Sequence, residues 1–265
     1  MEAYNTWNAR MAPATSMNDE ARTLLQNYTG LAPSLLSSHV QATAKRGFTI
    51  APYPYFSKLW FVDFEIALSP AYGEILRRVV NGERMLHLGC GVGQDIRRMV
   101  YDGAPSENLC GLDPHRGLAE LGYELFRDED EMRSSFIVGD FMRDGLVDSL
   151  LEEGKFRVIN AGYFLHVWDW KSQVELVKRM LKVLPGMKGD LIVGANFARC
   201  EAKEGVVPGG GAVFVHTHET LLGLWEEIGR CTGTRWLVNV NKDAYLDHQK
   251  LDRNGYRLRW CARRE

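Results

Sequence analysis

Three glycines, Gly89, Gly91 and Gly93, alternate along the stretch MLHLGCGVGQDIR, directly after an apolar run and before a helix-like segment. Glycine tolerates left-handed backbone and lets the main chain approach a ligand closely, and a helix that starts there aims its free N–H groups at that ligand. Two acids end apolar runs further on. Asp113 ends the run NLCGLD, twenty-four residues after Gly89, near the spacing at which a carboxylate accepts from two ribose hydroxyls. Asp140 ends the run SFIVGD. The dinucleotide fingerprint G-x-G-x-x-G is not met, because Gln94 fills its last position. That weakens a nicotinamide reading.

The elements that must hold these residues follow from periodicity. From Arg84 onward, short apolar runs (RMLHLG, NLCGLD, SFIVGD, FRVINAG, DLIVGANF) alternate with helical segments near residues 94–101, 117–126, 145–152 and 171–183. This alternation predicts a parallel sheet with crossover helices. In the last helix Val174, Val177, Met180, Leu181 and Leu184 form one apolar face. Upstream, helices are expected near residues 19–28 and 71–80. The aromatic run APYPYFSKLWF, broken by Pro52 and Pro54, predicts a turn into a short helix. Residues 1–50 otherwise read as mixed and polar. After the fifth strand, ARCEAKEGVVPGGGAVFVHT reads as one long loop, followed by the helix THETLLGLWEEIGRCTG and two more strands, TRWLVNV and YRLRWCA. The expected organisation is a helical cap over residues 1–80 and a binding domain over 81–265.

Bulk properties exclude several classes. Net charge is −2 and the isoelectric point about 6.4, which gives no electrostatic footprint for nucleic acid. No apolar run is long enough to span a membrane, and the N-terminus carries no secretory h-region. Five scattered cysteines, without metal-ligand spacing, point to a reducing, cytoplasmic setting. The pair His216 and His218 lacks a third ligand nearby, so no metal site is expected. The partner implied is a small-molecule acceptor, and association into a homodimer is left open.

The form LHLGCGVG resembles the first motif of class I S-adenosylmethionine (SAM) methyltransferases. The segments PYPYF, GQDIRRMVYDGAPSENLCGLDPHRGLAELGYELFRD, FLHVWDWKSQVELVKRML and LWEEIGRCTGT are similar to the small fungal methyltransferases of meroterpenoid and related secondary-metabolite pathways, over roughly residues 50–240. The resemblance implies a Rossmann-like, seven-stranded, mostly parallel sheet with helices on both faces, and SAM as cofactor. It places His87, Gly89, Cys90, Gly91, Gly93, Asp113, Asp140, Phe141 and Asn160 at the cofactor. Asp140 would accept from the adenine amino group and Phe141 would pack on its ring. It also implies O-methylation of a small, largely apolar metabolite, since known members esterify the carboxylate of a prenylated aromatic acid.

One departure stands out. The family has Asp or Glu where this chain has His87, and a neutral imidazole brings no charge to a cationic donor. Either water or another acid such as Asp95 compensates, or the donor site has drifted and the scaffold catalyses a non-methylating isomerisation or cyclisation. A non-catalytic, regulatory use of the fold is a third reading. On the acceptor side, His166 in NAGYFLHVWDW falls at the carboxyl edge of the sheet, where ligands bind in open α/β folds. It could be a general base, a hydrogen-bond donor or a structural histidine. A carboxylate acceptor is ionised at neutral pH and needs no base, whereas a phenol would profit from one. Tyr53, Tyr55, Phe56, Trp60, Tyr163 and Trp168 are the expected substrate-binding aromatics, with Tyr55 and Trp60 as a lid.

Overall fold

Met85, Leu86, His87 and Leu88 are all buried, as a strand covered on both faces requires. They form β1 (Met85–Leu88), the central strand of the sheet. The computed structural model describes residues 17–206, 211–243 and 255–265. β2 (Leu109–Asp113), β3 (Ser135–Val138), β4 (Val158–Asn160) and β5 (Leu191–Arg199) continue the parallel part of the sheet. β6 (Lys203–Val206) and β7 (Ala212–Val215) pair only with each other. β8 (Trp236–Asp243) and β9 (Gly255–Arg264) complete seven strands in the order β3-β2-β1-β4-β5-β9-β8, with β9 antiparallel to both neighbours. The order reverses beside β1, so the crevice between the ends of β1 and β4 is the binding position of this topology.

The helices are α1 (Asp19–Thr29), α2 (Pro33–Ile50), α3 (Pro54–Ser57), α4 (Tyr72–Val80), α5 (Gln94–Tyr101), α6 (Arg116–Phe126), α7 (Leu146–Glu152), α8 (Trp170–Val183) and α9 (His218–Thr232). On one face of the sheet, Val177 and Met180 of α8 and Leu224 and Trp225 of α9 share a core with Ile159, Ile192 and Trp260. On the other, Ile75, Val79, Ile96 and Met99 cover Met85, Val158 and Leu191. None of the helices in the described residues is long and apolar enough to cross a membrane.

The segment before α4 builds its own core. Leu24, Leu25, Leu36, Val40, Phe56, Phe61 and Phe64 pack with Leu118, Leu121 and Leu125 of α6. The 18-residue α2 is a correction to the reading of residues 30–50 as merely polar. Leu36, Val40 and Ala44 recur at every fourth residue, but Thr43 and Gly47, buried on the same side, and the neighbouring His39 dilute the apolar stripe enough to hide it. Gly47 matters because the Phe56 ring lies 2.2 Å from where its Cβ would stand.

A second correction concerns the stretch after β5. It is not one loop: β6 and β7 form an antiparallel pair with Lys203 opposite Val215 and Val206 opposite Ala212. Only four residues of KEGV and AVFV serve each strand, too few to register as a pattern beside the glycine run. Gly209 and Gly210 of that run lie outside the described residues. His216 then closes the region, with Nε2 2.8 Å from Gln173 Oε1 and Nδ1 3.1 Å from Thr220 Oγ1, ahead of the Thr217 cap of α9.

One set of contacts ties the N-terminal segment to the last strand. Arg257, Arg259 and Arg263 alternate on β9, so they share a face. Glu65 takes Arg257 at 2.7 Å and Arg259 at 2.8 Å, and Glu74 on α4 takes Arg263 through two bonds of 2.8 and 2.6 Å. Arg259 also pairs with Asp243.

Candidate active site

The glycine turn leaves β1 in left-handed backbone at Gly89, Gly91 and Gly93, with φ of +65°, +56° and +67°. A side chain would be strained at each and would also collide. A Cβ on Gly89 would stand 3.0 Å from the Phe164 ring, and one on Gly91 2.9 Å from the Tyr55 hydroxyl. The close helix packing that the dinucleotide fingerprint assigns to a third glycine comes here from α6, where a Cβ on Gly122 would lie 2.3 Å from the Val92 carbonyl oxygen. Arg97 fastens the turn from below. It donates to the Val92 carbonyl at 2.8 Å, pairs with Asp128 through two 2.8 Å bonds, and is fully buried.

Asp113 reaches this turn from the end of β2. One carboxylate oxygen accepts from the Gly91 N–H at 3.0 Å, the other from the His115 N–H at 2.9 Å. Tyr55 closes over the same point, donating to Gln94 Oε1 at 2.6 Å, and burial beside Asp95 and Asp113 pushes its hydroxyl well above the usual phenol range. Tyr53 stands half in solvent with its ring 6.3 Å from His115. Asp140 forms a turn after β3, accepting from the Met142 N–H at 2.9 Å. Phe141 is buried edge-on to Phe164, with 6.3 Å between ring centres.

His87 lies under the turn, 2% exposed, opposite Gly111 on β2 and Asn160 on β4. Burial lowers its pKa to about 4, so the ring is neutral. Its Nδ1 has no hydrogen-bond partner among the described residues, nor has Nδ2 of Asn160, whose Oδ1 accepts from the Gly162 N–H at 3.0 Å. Nε2 of His87 lies 3.8 Å from Asp95 Oδ2. Asp95 accepts from the Ile66 N–H at 3.2 Å, and burial raises its pKa to about 7.

A second cluster sits beyond β4. Tyr163 adopts left-handed backbone, φ +53°, which is strained for a bulky residue. Its ring packs 5.1 Å from Phe197 and 5.6 Å from His166, while Phe164 turns back onto Gly89. His166 lies 5.0 Å from Phe197, and Trp60 covers Phe197 at 5.7 Å. The Arg257 guanidinium lies 5.5 Å from the centre of the Tyr163 ring. Burial lowers the His166 pKa to about 4, and its Nδ1 has no hydrogen-bond partner among the described residues.

Most of the expected residues therefore converge on two adjoining clusters, and three do not contribute as anticipated. Phe56 is fully buried over Gly47 inside the cap core and offers no surface to a ligand. Cys90 points its thiol at Gly111 within the core, so only its backbone belongs to the turn. Trp168 packs against the core beneath α8, where its carbonyl accepts from Gln173 and Phe214.

The carboxylates at the ends of β2 and β3, the glycine turn at the end of β1 and the buried polar side chains of His87 and Asn160 fit a nucleoside ligand with a polar tail. The family model for the meroterpenoid methyltransferase N-terminal domain matches residues 7–62. Over 255 residues the chain is 34% identical to the asnovolin E/chermesin D methyltransferase nvfJ of Aspergillus novofumigatus, across 94% of this chain and 90% of that one. The chain belongs to the fungal secondary-metabolite methyltransferases. The O-methyltransferase phiE of a fungal species is 32% identical over 83% of this chain and 74% of its own. In fold, this methyltransferase is similar to the 1,6-didemethyltoxoflavin-N1-methyltransferase of Burkholderia thailandensis, with a TM-score of 0.53 at 15% identity, covering 95% and 93% of the two chains. It is a SAM-dependent enzyme of the class I architecture.

Several residues of this methyltransferase site escaped sequence reasoning. Phe197 was read only as part of a strand, although its place at the carboxyl end of β5 was a usable signal. Glu65 and Arg257 carried another: arginines at alternate positions of a strand must share a face and require acids opposite.

Proposed function

We propose that this enzyme O-methylates a small, largely apolar secondary metabolite at a carboxylate, giving a methyl ester. SAM supplies a methyl group already activated by its sulfonium. Gly89, Gly91 and Gly93 would hold it through backbone approach, Asp113 through its ribose hydroxyls and Asp140 through its adenine amino group. The residues up to about 80 act as the cap, with Tyr55 over the turn and Trp60 over the acceptor, and Tyr163 and Phe197 form an apolar wall that excludes water.

The observation that carries the choice of acceptor is the state of His166. It is the only histidine in the aromatic cluster of the described residues, and burial has made it a weak base. A phenol would need its proton removed near neutral pH, which a base with a pKa of about 4 does poorly. A carboxylate arrives ionised, and His166 with Nδ1–H can donate to it. The five cysteines, all free, suit the cytoplasm.

Prenylated aromatic acids and the matching phenols, offered with SAM, test the reading. The expected result is S-adenosylhomocysteine in step with a product that mild alkali saponifies. An alkali-stable ether would overturn the carboxylate assignment. Product formed without S-adenosylhomocysteine would favour the non-methylating reading that His87 raises.

A further inference from the structure

Beneath the glycine turn, the position where an acid is expected is filled by a neutral ring, and the nearest carboxylate is one element further on. His87 on β1 contributes no charge, and its Nδ1 is buried without a partner. Asp95, in the first turn of α5, brings its Oδ2 to 3.8 Å from His87 Nε2 and is 2% exposed. It is also held from the cap side by the Ile66 N–H. Resting on the SAM-dependent reading above, we propose that Asp95 supplies the negative charge for the cationic end of the donor that the strand position no longer provides, with His87 as its neutral spacer.

The surroundings support this division of labour. A histidine and a carboxylate so close, both buried, would normally form a charged pair, yet desolvation holds the histidine neutral and raises the carboxyl toward neutrality. The other titratable groups that face Asp95 are Tyr55, Asp63 and Glu65, all on the cap segment and none a cation. Apart from the neutral His87 ring, no basic side chain among the described residues pairs with Asp95, so a bound cation would be its first opposite charge. Arrival of that cation would favour the ionised form and expel a proton.

The test is calorimetric titration with SAM at pH 8 and pH 6. It uses the native enzyme, His87→Asp, Asp95→Asn and the double variant His87→Asp/Asp95→Asn. Asn keeps an oxygen for the Ile66 N–H and removes only the charge. Asp95→Asn is expected to bind SAM at least tenfold more weakly at pH 8. That gap should narrow at pH 6, where native Asp95 holds its proton, and the double variant should recover most of the loss. Equal affinity of the native and Asn enzymes at pH 8 would overturn the assignment. So would a gap that does not change with pH, which is the signature of a structural role. If Asp95→Asn does not fold, native titrations at pH 7 in two buffers of different ionisation enthalpy decide. Net proton release on binding supports the proposal, and none overturns it. Absence of SAM binding by the native enzyme and by His87→Asp alike would overturn the SAM-dependent reading itself, a different outcome from native binding with an indifferent Asn variant.

Discussion

The two ends of the site are built in different ways. The donor end is made of backbone: three left-handed glycines, the N–H of Gly91 on Asp113 and the Val92 carbonyl on Arg97, all between residues 85 and 128. The cluster proposed as the acceptor end is made of side chains from four distant segments, Trp60, Tyr163 with His166, Phe197 and Arg257, and it is held by ion pairs such as Glu65 to Arg257. A backbone site fixes one ligand shape and tolerates little change. A side-chain site can be re-shaped one ring at a time.

The largest expected effect tests the rigidity of the donor end. Arg97→Met leaves the buried Asp128 without its cation, with the Tyr28 hydroxyl still donating to it, and should cost about 3–5 kcal/mol in urea unfolding. A loss below about 1 kcal/mol would mean that the turn is not buttressed through that pair. Next, Glu65→Gln strips the charge opposite Arg257 and Arg259 and should cost about 1.5–3 kcal/mol. Faster proteolysis within the cap and a raised KM for the acceptor should accompany it, with SAM affinity within threefold of native. Equal damage to both ligands would erase the distinction between the two ends.

Gly91→Ala attacks the donor end alone. The left-handed backbone costs about 1–2 kcal/mol and the new methyl meets Tyr55. SAM affinity should fall at least tenfold by calorimetry while the acceptor KM holds. The smallest effect is on pH dependence. His87, His166 and His216 have folded pKa values near 4 against an ordinary 6.5, so the unfolded chain takes up protons first and stability falls as pH drops from about 6.5 to 4. Asp95 works in the opposite sense, since a raised carboxyl pKa favours the fold below about 7. Three groups against one should still lower Tm by a few degrees between pH 7 and pH 5, read by calorimetry. A Tm that rises would mean that Asp95 outweighs the histidines.

The same contrast explains how much could be read without coordinates. The parallel strands, their crossover helices, the glycine turn, Asp113 and Asp140 were legible because each is a local pattern repeated in chain order. Tyr55 and Trp60 stand out in the sequence only as aromatics of an upstream segment; that one lies over Gly91 and the other over Phe197 is visible only in the fold. Phe56, drawn from the same run, faces Gly47, because side-chain direction within a four-residue helix depends on packing and not on sequence. The ladder of arginines on β9 stayed hidden because its partners Glu65 and Glu74 lie about 190 residues away. Apolar periodicity, the signal used, says nothing about where charges pair.

That ladder has a consequence for timing. β9 follows every other described element in the chain, yet it lies between β5 and β8 and carries the arginines that clip the cap. At roughly 5–20 residues per second, some 190 residues of synthesis separate the cap acids from their partners by about 10–40 s. Until β9 emerges, Glu65 and Glu74 have no arginine partners on that strand and β5 has no neighbour on that side. β9 therefore completes two things at once, the sheet between β5 and β8 and the clip onto Glu65.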